Sequence, residues 1–260
     1  MTLSGLRQKR LFLFDLDGVF YRGKERPVKI GGTLVVEKIR STKRSIFVLT
    51  NNSTDTVRTL HRNLLSLGVP IREAEILTSS RLTAELLRDR YGSARYFLVG
   101  EKGFDSELVR LGHRPVAPTE AEVVVVGLDR KVTYEKLDEA AKAAKRGAAL
   151  VASHAASFYM SRFGAALGPG PLVKAIESAS GRRATVVGKP SPLMFRIALR
   201  KAGCAPGEAV MVGDQLDTDI AGASRAGIAS VLVLTGIDKD AAGTPALGTV
   251  DNVDDLVRYI

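Results

Sequence analysis

Strand-sized apolar runs separated by helical patterns recur along the whole of this chain, and that alternation limits the fold more than any other feature. Leu11-Phe12-Leu13-Phe14 reads as a buried strand ended by Asp15. A helix is predicted from Gly32 to Thr42, with Leu34, Val35, Lys38 and Ile39 spaced for one face. Ser45 to Leu49 is the next strand and runs into Thr50-Asn51-Asn52. Ser53 or Thr54 is placed to cap a second helix, through Leu60 and Leu64 to a stop at Gly68. Near-continuous apolar strands alternating with helices belong to a parallel sheet covered on both faces, so the class is α/β.

The middle of the chain repeats the alternation with its own elements. Helices are predicted over about Ser80 to Tyr91, Lys102 to Leu111 and, capped by Thr133, up to Arg146. Strands are predicted at Tyr96 to Val99, Val123 to Val126 and Ala148 to Ala152. The cluster Gly168-Pro169-Gly170-Pro171 precedes a further helix to Ser180. The last third returns to strands that end abruptly in loops: Ala184 to Val187 before Gly188-Lys189-Pro190, Ala209 to Val212 before Gly213-Asp214, and Ser230 to Leu234 before Thr235-Gly236. A short docking helix through Val253, Leu256 and Ile260 closes the chain. At 260 residues, this is one domain carrying an insertion, or two small domains.

Composition excludes several classes. With 45% hydrophobic and 25% charged residues the chain is neither disordered nor fibrous. No apolar run approaches the roughly 20 residues of a membrane-spanning helix. The single cysteine, Cys204, cannot form an internal disulfide, and Asp15 interrupts the N-terminal apolar run too early for a secretory leader, so a cytoplasmic location is expected. The net charge of +10 favours anionic ligands. The basic residues are scattered, so small phosphates are expected in preference to nucleic acid, and no membrane partner is expected.

In a parallel α/β sheet, ligands bind beyond the carboxyl ends of the strands. The residues at those ends are Asp15, Asp17 and Gly18, then Thr50 and Asn51, then Lys189, then Asp214, Asp217 and Asp219. Converging carboxylates repel one another unless a cation neutralises them, and an all-oxygen donor set suits Mg²⁺. Taken singly, each segment has an ordinary reading: an Asx turn at Asp15 to Gly18, helix caps at Thr50 and Asn51, a solvated lysine, an acidic helix start after Asp214.

Together they resemble the haloacid dehalogenase (HAD) superfamily. Phe14-Asp15-Leu16-Asp17-Gly18-Val19 is similar to its first motif and Leu49-Thr50-Asn51-Asn52 to its second. Gly188-Lys189-Pro190 is similar to the third and Gly213-Asp214-Gln215-Leu216-Asp217-Thr218-Asp219-Ile220 to the fourth, in the same order. The Thr-Asn-Asn form, the insertion between the second and third motifs, and Gly181-Arg182 ahead of Gly-Lys-Pro resemble the p-nitrophenylphosphatase, phosphoglycolate phosphatase and NagD-like subfamily. The resemblance implies a Rossmann-like core over residues 1–78 and 179–260, and an inserted α/β cap over 79–178.

By that resemblance, Asp15 is the nucleophile that forms an aspartyl-phosphate, and Asp17 is the acid/base. Lys189 offsets charge, and Asp219 holds Lys189 or supports the metal site. Leu16, Asp17, Thr50, Asn51, Asn52 and Lys189 would bind the phosphoryl group. Mg²⁺ would be held by Asp15, Asp214 and the backbone carbonyl of Asp17. The dehalogenases of the superfamily lack a carboxylate at the place of Asp17, so its presence favours phosphoryl chemistry. The implied activity is a Mg²⁺-dependent phosphomonoester phosphatase acting on a small phosphorylated metabolite, with a homodimer formed through the cap. A phosphotransferase on the same site and a non-catalytic basic binding protein are the alternatives. After the cap strand this chain departs from the usual Ala-Thr-Asn-x-Asp pattern and has Ala152-Ser153-His154-Ala155-Ala156. His154 and Arg162 are therefore the candidate contacts to the substrate's leaving group. His61 and His113 show no metal-ligand pattern.

Overall fold

The computed structural model describes residues 3–23, 26–161 and 163–260. Arg162 lies outside the described residues. The chain divides into two compact units, Met1–Thr50 with Val57–Leu77 and Lys189–Ile260, and Asn51–Thr56 with Thr78–Gly188.

The first unit is built on a six-stranded sheet in the order Thr249–Val250, Ala229–Val233, Ala209–Gly213, Leu11–Phe14, Ser45–Thr50, Ile76–Thr78. Leu11–Phe14 pairs in parallel on both sides, with Phe14 opposite Val212 and Val48. All four of its side chains are fully buried, as expected of a central strand covered on both faces. That register sets Asp15 and Asp214 at the tips of neighbouring strands.

The helix Thr33–Ser41 forms where expected, but its buried face does not include Leu34, which is 60% exposed. At about 100° per residue, Val35, Val36 and Ile39 share the buried arc and Leu34 stands opposite. The second helix is Val57–Ser66, which leaves Ser53 and Thr54 ahead of its first turn. The Asn52 side chain instead accepts the backbone N–H groups of Thr54 and Asp55 at 3.0 and 2.9 Å, closing a turn ahead of it. Strand Ile76–Thr78 was not expected; three residues are too few to show a period. The expected C-terminal helix is the 3₁₀ segment Val253–Tyr259.

That segment supplies a cap. Helix Thr33–Ser41 starts after Gly32, which is left-handed and has no side chain to cap it. The Asp254 carboxylate accepts the backbone N–H groups of Gly32 at 3.0 Å and Val35 at 2.9 Å from 222 and 219 residues away. Asp254→Ala is expected to cost about 1–2 kcal/mol, as loss of an N-cap does. Thermal or urea unfolding measures it.

The second unit has its own five-stranded sheet in the order Thr185–Val186, Ala149–Ala152, Val123–Val126, Arg95–Val99, Arg114–Pro115, with every pairing parallel. It reaches Gly188 where an end at 178 was expected, because Thr185–Val186 pairs with Val151 and Ala152. Thr133 caps the helix Tyr134–Arg146 through the Lys136 N–H, as expected. The antiparallel hairpin Phe158–Ser161 with Gly164–Leu167 had no clear signature in the sequence. His113 is buried: Nδ1 accepts the Ala94 N–H at 3.1 Å and Nε2 donates to the Ala84 carbonyl at 2.8 Å, so its role is structural. Among the described residues no helix is long and apolar enough to cross a membrane.

Candidate active site

The strand tips of the first unit bring four charged side chains into one buried cluster. Asp15 follows Phe14 and is held in line by its N–H bond to the Val212 carbonyl at 2.9 Å. Lys189 is 2% exposed, and its Nζ donates to Asp15 Oδ1 and to Asp219 Oδ1, each at 2.6 Å. Asp219 has no exposure at all. Its second oxygen, Oδ2, accepts the backbone N–H groups of Asp214 and Gln215, each at 3.2 Å. Both oxygens of Asp219 are therefore engaged by the protein.

Asp214 differs. Its Oδ2 accepts the Ile237 N–H at 3.0 Å, while Oδ1 is buried with no hydrogen-bond partner among the described residues. Glycine is required around it. A Cβ at Gly236 would lie 1.9 Å from Asp214 Oδ2, and one at Gly18, where φ is +77°, would lie 2.3 Å away.

Among the described residues, Asp15, Asp214 and Asp219 form the group of carboxylates that approach closely enough to share a cation, with donor atoms within 4.8 Å of one another. Three carboxylates against one ammonium leave excess negative charge. Burial first, then the charges of Asp15 and Asp219, push Asp214 up to about 8. Burial and Asp15 raise Asp219 as well. Burial pulls Lys189 down, but the Asp15 and Asp219 charges outweigh it and hold the ammonium well above its ordinary value. A buried, unpartnered carboxylate oxygen beside another carboxylate fits a hard divalent cation. Because Asp219 is committed to Lys189 and two N–H groups, Asp15 and Asp214 are the side chains suited to hold it.

The other candidates take these places. Thr50 is buried at the end of its strand, Leu16 is fully buried, and Asp17 is half-buried at the start of the turn closed by the Gly18 N–H bond to the Tyr21 carbonyl. Asn51, Asn52 and His154 belong to the second unit. The Asn52 amide closes its own turn, with Nδ2 also donating to Asp55 at 2.8 Å. His154 is buried rather than surface-exposed. A Cβ at Gly188 would lie 2.4 Å from Asn51 Oδ1 and 3.0 Å from His154 Cβ, so these three residues meet at one point. The loop after Ala229–Val233 was missed as part of the site, although Thr235-Gly236 stood out as a strand-to-loop break.

The parallel α/β core thus gathers a buried lysine between two carboxylates, with a third carboxylate left open at the next strand tip. The haloacid dehalogenase-like hydrolase model matches residues 12–114, and an HAD-hydrolase-like model matches residues 186–257. Sugar-phosphatase AraL of Bacillus subtilis is 32% identical over 95% of this chain and 90% of its own length. The 5'-nucleotidase YutF of the same organism is 29% identical over 96% of this chain and 98% of its own. The p-nitrophenyl phosphatase from Archaeoglobus fulgidus superposes with a TM-score of 0.90 at 32% identity, covering 97% of this chain and 100% of that one. The chain belongs to the haloacid dehalogenase superfamily, in its p-nitrophenylphosphatase and NagD-like branch.

Proposed function

We propose that this enzyme is a Mg²⁺-dependent phosphomonoester phosphatase that acts through an aspartyl-phosphate on Asp15, with a small phosphorylated metabolite as substrate. The observation that carries the reading is the buried Lys189 bridge between Asp15 and Asp219, next to the open Oδ1 of Asp214. Three relatives named sugar phosphatase, 5'-nucleotidase and p-nitrophenyl phosphatase support phosphate-ester hydrolysis.

A carboxylate attacking a phosphate dianion meets charge repulsion. Lys189 lowers that barrier by holding positive charge against Asp15 before substrate arrives. Asp219 keeps the ammonium in place. Asp15 attacks phosphorus, the ester P–O bond breaks, and Asp17 gives its proton to the departing alcohol oxygen. Asp17, now ionised, takes a proton from water, which attacks the phosphoryl-Asp15 and releases inorganic phosphate. Asp15 and Asp214, with the Asp17 carbonyl, would hold Mg²⁺. When bound, the cation supplies neutralising charge for the carboxylates and the phosphoryl oxygens.

The test is phosphate release from p-nitrophenyl phosphate in Mg²⁺ and in EDTA. Turnover in Mg²⁺ that EDTA removes and added Mg²⁺ restores is expected; turnover indifferent to both contradicts the metal part of the reading. A linked result concerns pH. Asp214 is raised from its ordinary value of 3.8 to about 8. Its contribution to metal-free stability is thus full below the ordinary value and is lost as pH rises through the folded one. A divalent cation binds the ionised carboxylate and relieves that loss. The Mg²⁺-induced rise in Tm is expected to be larger at pH 8 than at pH 5, measured by thermal shift at fixed Mg²⁺.

A further inference from the structure

Asp214 would need a reason to keep one oxygen open in a buried cluster, and the segment after strand Ala229–Val233 provides it. Three residues there, Thr235, Ile237 and Asp238, bind the site by hydrogen bonds. Thr235 Oγ1 donates to the Gly18 carbonyl at 2.5 Å, and Arg22 donates to the Thr235 carbonyl. The Ile237 N–H donates to Asp214 Oδ2, and the Asp238 N–H to the Asp214 carbonyl at 3.1 Å. Gly236 packs so closely on the Asp214 carboxylate that no side chain fits. The Ile237 side chain is 52% exposed, so hydrogen bonds, rather than burial of this side chain, fix the loop.

The Asp238 carboxylate completes the arrangement. Its Oδ2 accepts the Leu216 N–H at 2.7 Å. Leu216 opens the turn Leu216–Ile220, whose preceding residue Gln215 gives no side-chain cap. That turn carries Asp219. Asp238 therefore caps in trans, 22 residues away, the turn that holds Asp219, while its own backbone is bonded to Asp214.

We propose that Asp238 is a positioning residue for the cation site: by tying the Leu216 N–H to the backbone of Asp214, it holds the Asp214 carboxylate with Oδ2 turned to Ile237 and Oδ1 free for the metal. The inference rests on the reading that Asp214 holds Mg²⁺. Asp238 is not one of the carboxylates that meet in the cluster, so its effect is on metal affinity and leaves substrate affinity alone.

The test is the Mg²⁺ concentration that gives half of the full Mg²⁺-induced rise in Tm, read on the whole protein without substrate. Asp238→Ala is expected to raise it about tenfold, as loss of a group orienting a metal ligand does. Asp238→Asn, which keeps an acceptor for the Leu216 N–H, is expected to stay within about threefold of wild type on the same reasoning. At saturating Mg²⁺, the KM for p-nitrophenyl phosphate is expected to stay unchanged. Asp254→Ala, which removes the cap on helix Thr33–Ser41, is the control for simple destabilisation and is expected to lower Tm without moving the half-point. An unchanged half-point in Asp238→Ala, or a half-point moved as far by Asp254→Ala, overturns the proposal. If Asp238→Ala does not fold, Asp238→Glu, which displaces the acceptor by one methylene, replaces it with the same expected direction and the same overturning result. A wild-type protein whose Tm ignores Mg²⁺ overturns the metal reading itself, and this proposal with it.

Discussion

Asp15→Asn is expected to lower kcat for p-nitrophenyl phosphate by about ten-thousand-fold or more, the scale seen when a catalytic nucleophile is removed. The side chain keeps its shape and its Oδ1 can still accept from Lys189 Nζ, which lies 2.6 Å away in the wild type. The amide has no anionic oxygen to attack phosphorus. Stability is expected to move the other way. The charge of Asp15 helps to raise Asp214 and Asp219, so removing it relieves repulsion in a site without metal. A metal-free Tm equal to or above wild type, together with lost turnover, separates a missing nucleophile from a damaged fold. Asp17→Asn gives the complementary readout. p-Nitrophenol departs without a donated proton, so the first half-reaction survives and the second lacks its base. Acid-quenched Asp17→Asn is expected to carry protein-bound phosphate, and Asp15→Asn none. Steady turnover by Asp15→Asn ends the covalent reading.

Much of the cluster was legible in the sequence because a parallel sheet gathers residues from distant parts of the chain onto one edge. Asp15, Lys189 and Asp214 each follow a strand, and strand tips share that edge whatever the order of the strands. The role of Asp219 was legible only as a pair of options; the 2.6 Å bond to Lys189 and the two N–H bonds select the clamp. Asp254 and Asp238 were not legible. Each acts on a backbone N–H set by a loop conformation, at separations of 219 and 22 residues, and neither pairing has a periodic trace. Leu34 was misjudged for a related reason. Spacing gives the width of a helical stripe, but docking sets its phase, and here the phase puts Val36 inside. The hairpin at Phe158–Ser161 escaped because Phe158 and Leu167 remain 63% and 56% exposed, so its alternation does not follow an inside and an outside.

Lys189→Met tests the other half of the cluster, and its largest effect is on stability. Methionine fills about the same volume but leaves the Asp15 carboxylate and Asp219 Oδ1 buried without their shared cation. Removing one partner of a buried ion pair costs about 3–5 kcal/mol, because the remaining charge is neither solvated nor neutralised. Two carboxylates lose their partner here, so the upper end of that range is expected. The pH dependence carries a definite sign. Lys189 is among the few influences that lower Asp214 and Asp219, so without it both carboxylates rise further above their ordinary values. Groups raised in the folded state give stability that is present at low pH and lost as pH climbs through the folded value. The gap in Tm between Lys189→Met and wild type is therefore expected to be small near pH 5 and to widen toward pH 8, and Mg²⁺ is expected to narrow it by supplying part of the missing charge. Turnover is expected to fall by at least about a hundred-fold at every pH, since the preset positive charge at the nucleophile accounts for several kcal/mol of transition-state stabilisation. A gap in Tm that stays constant from pH 5 to pH 8 would show that Lys189 contributes packing alone and that the carboxylates around it are neutral in the resting enzyme.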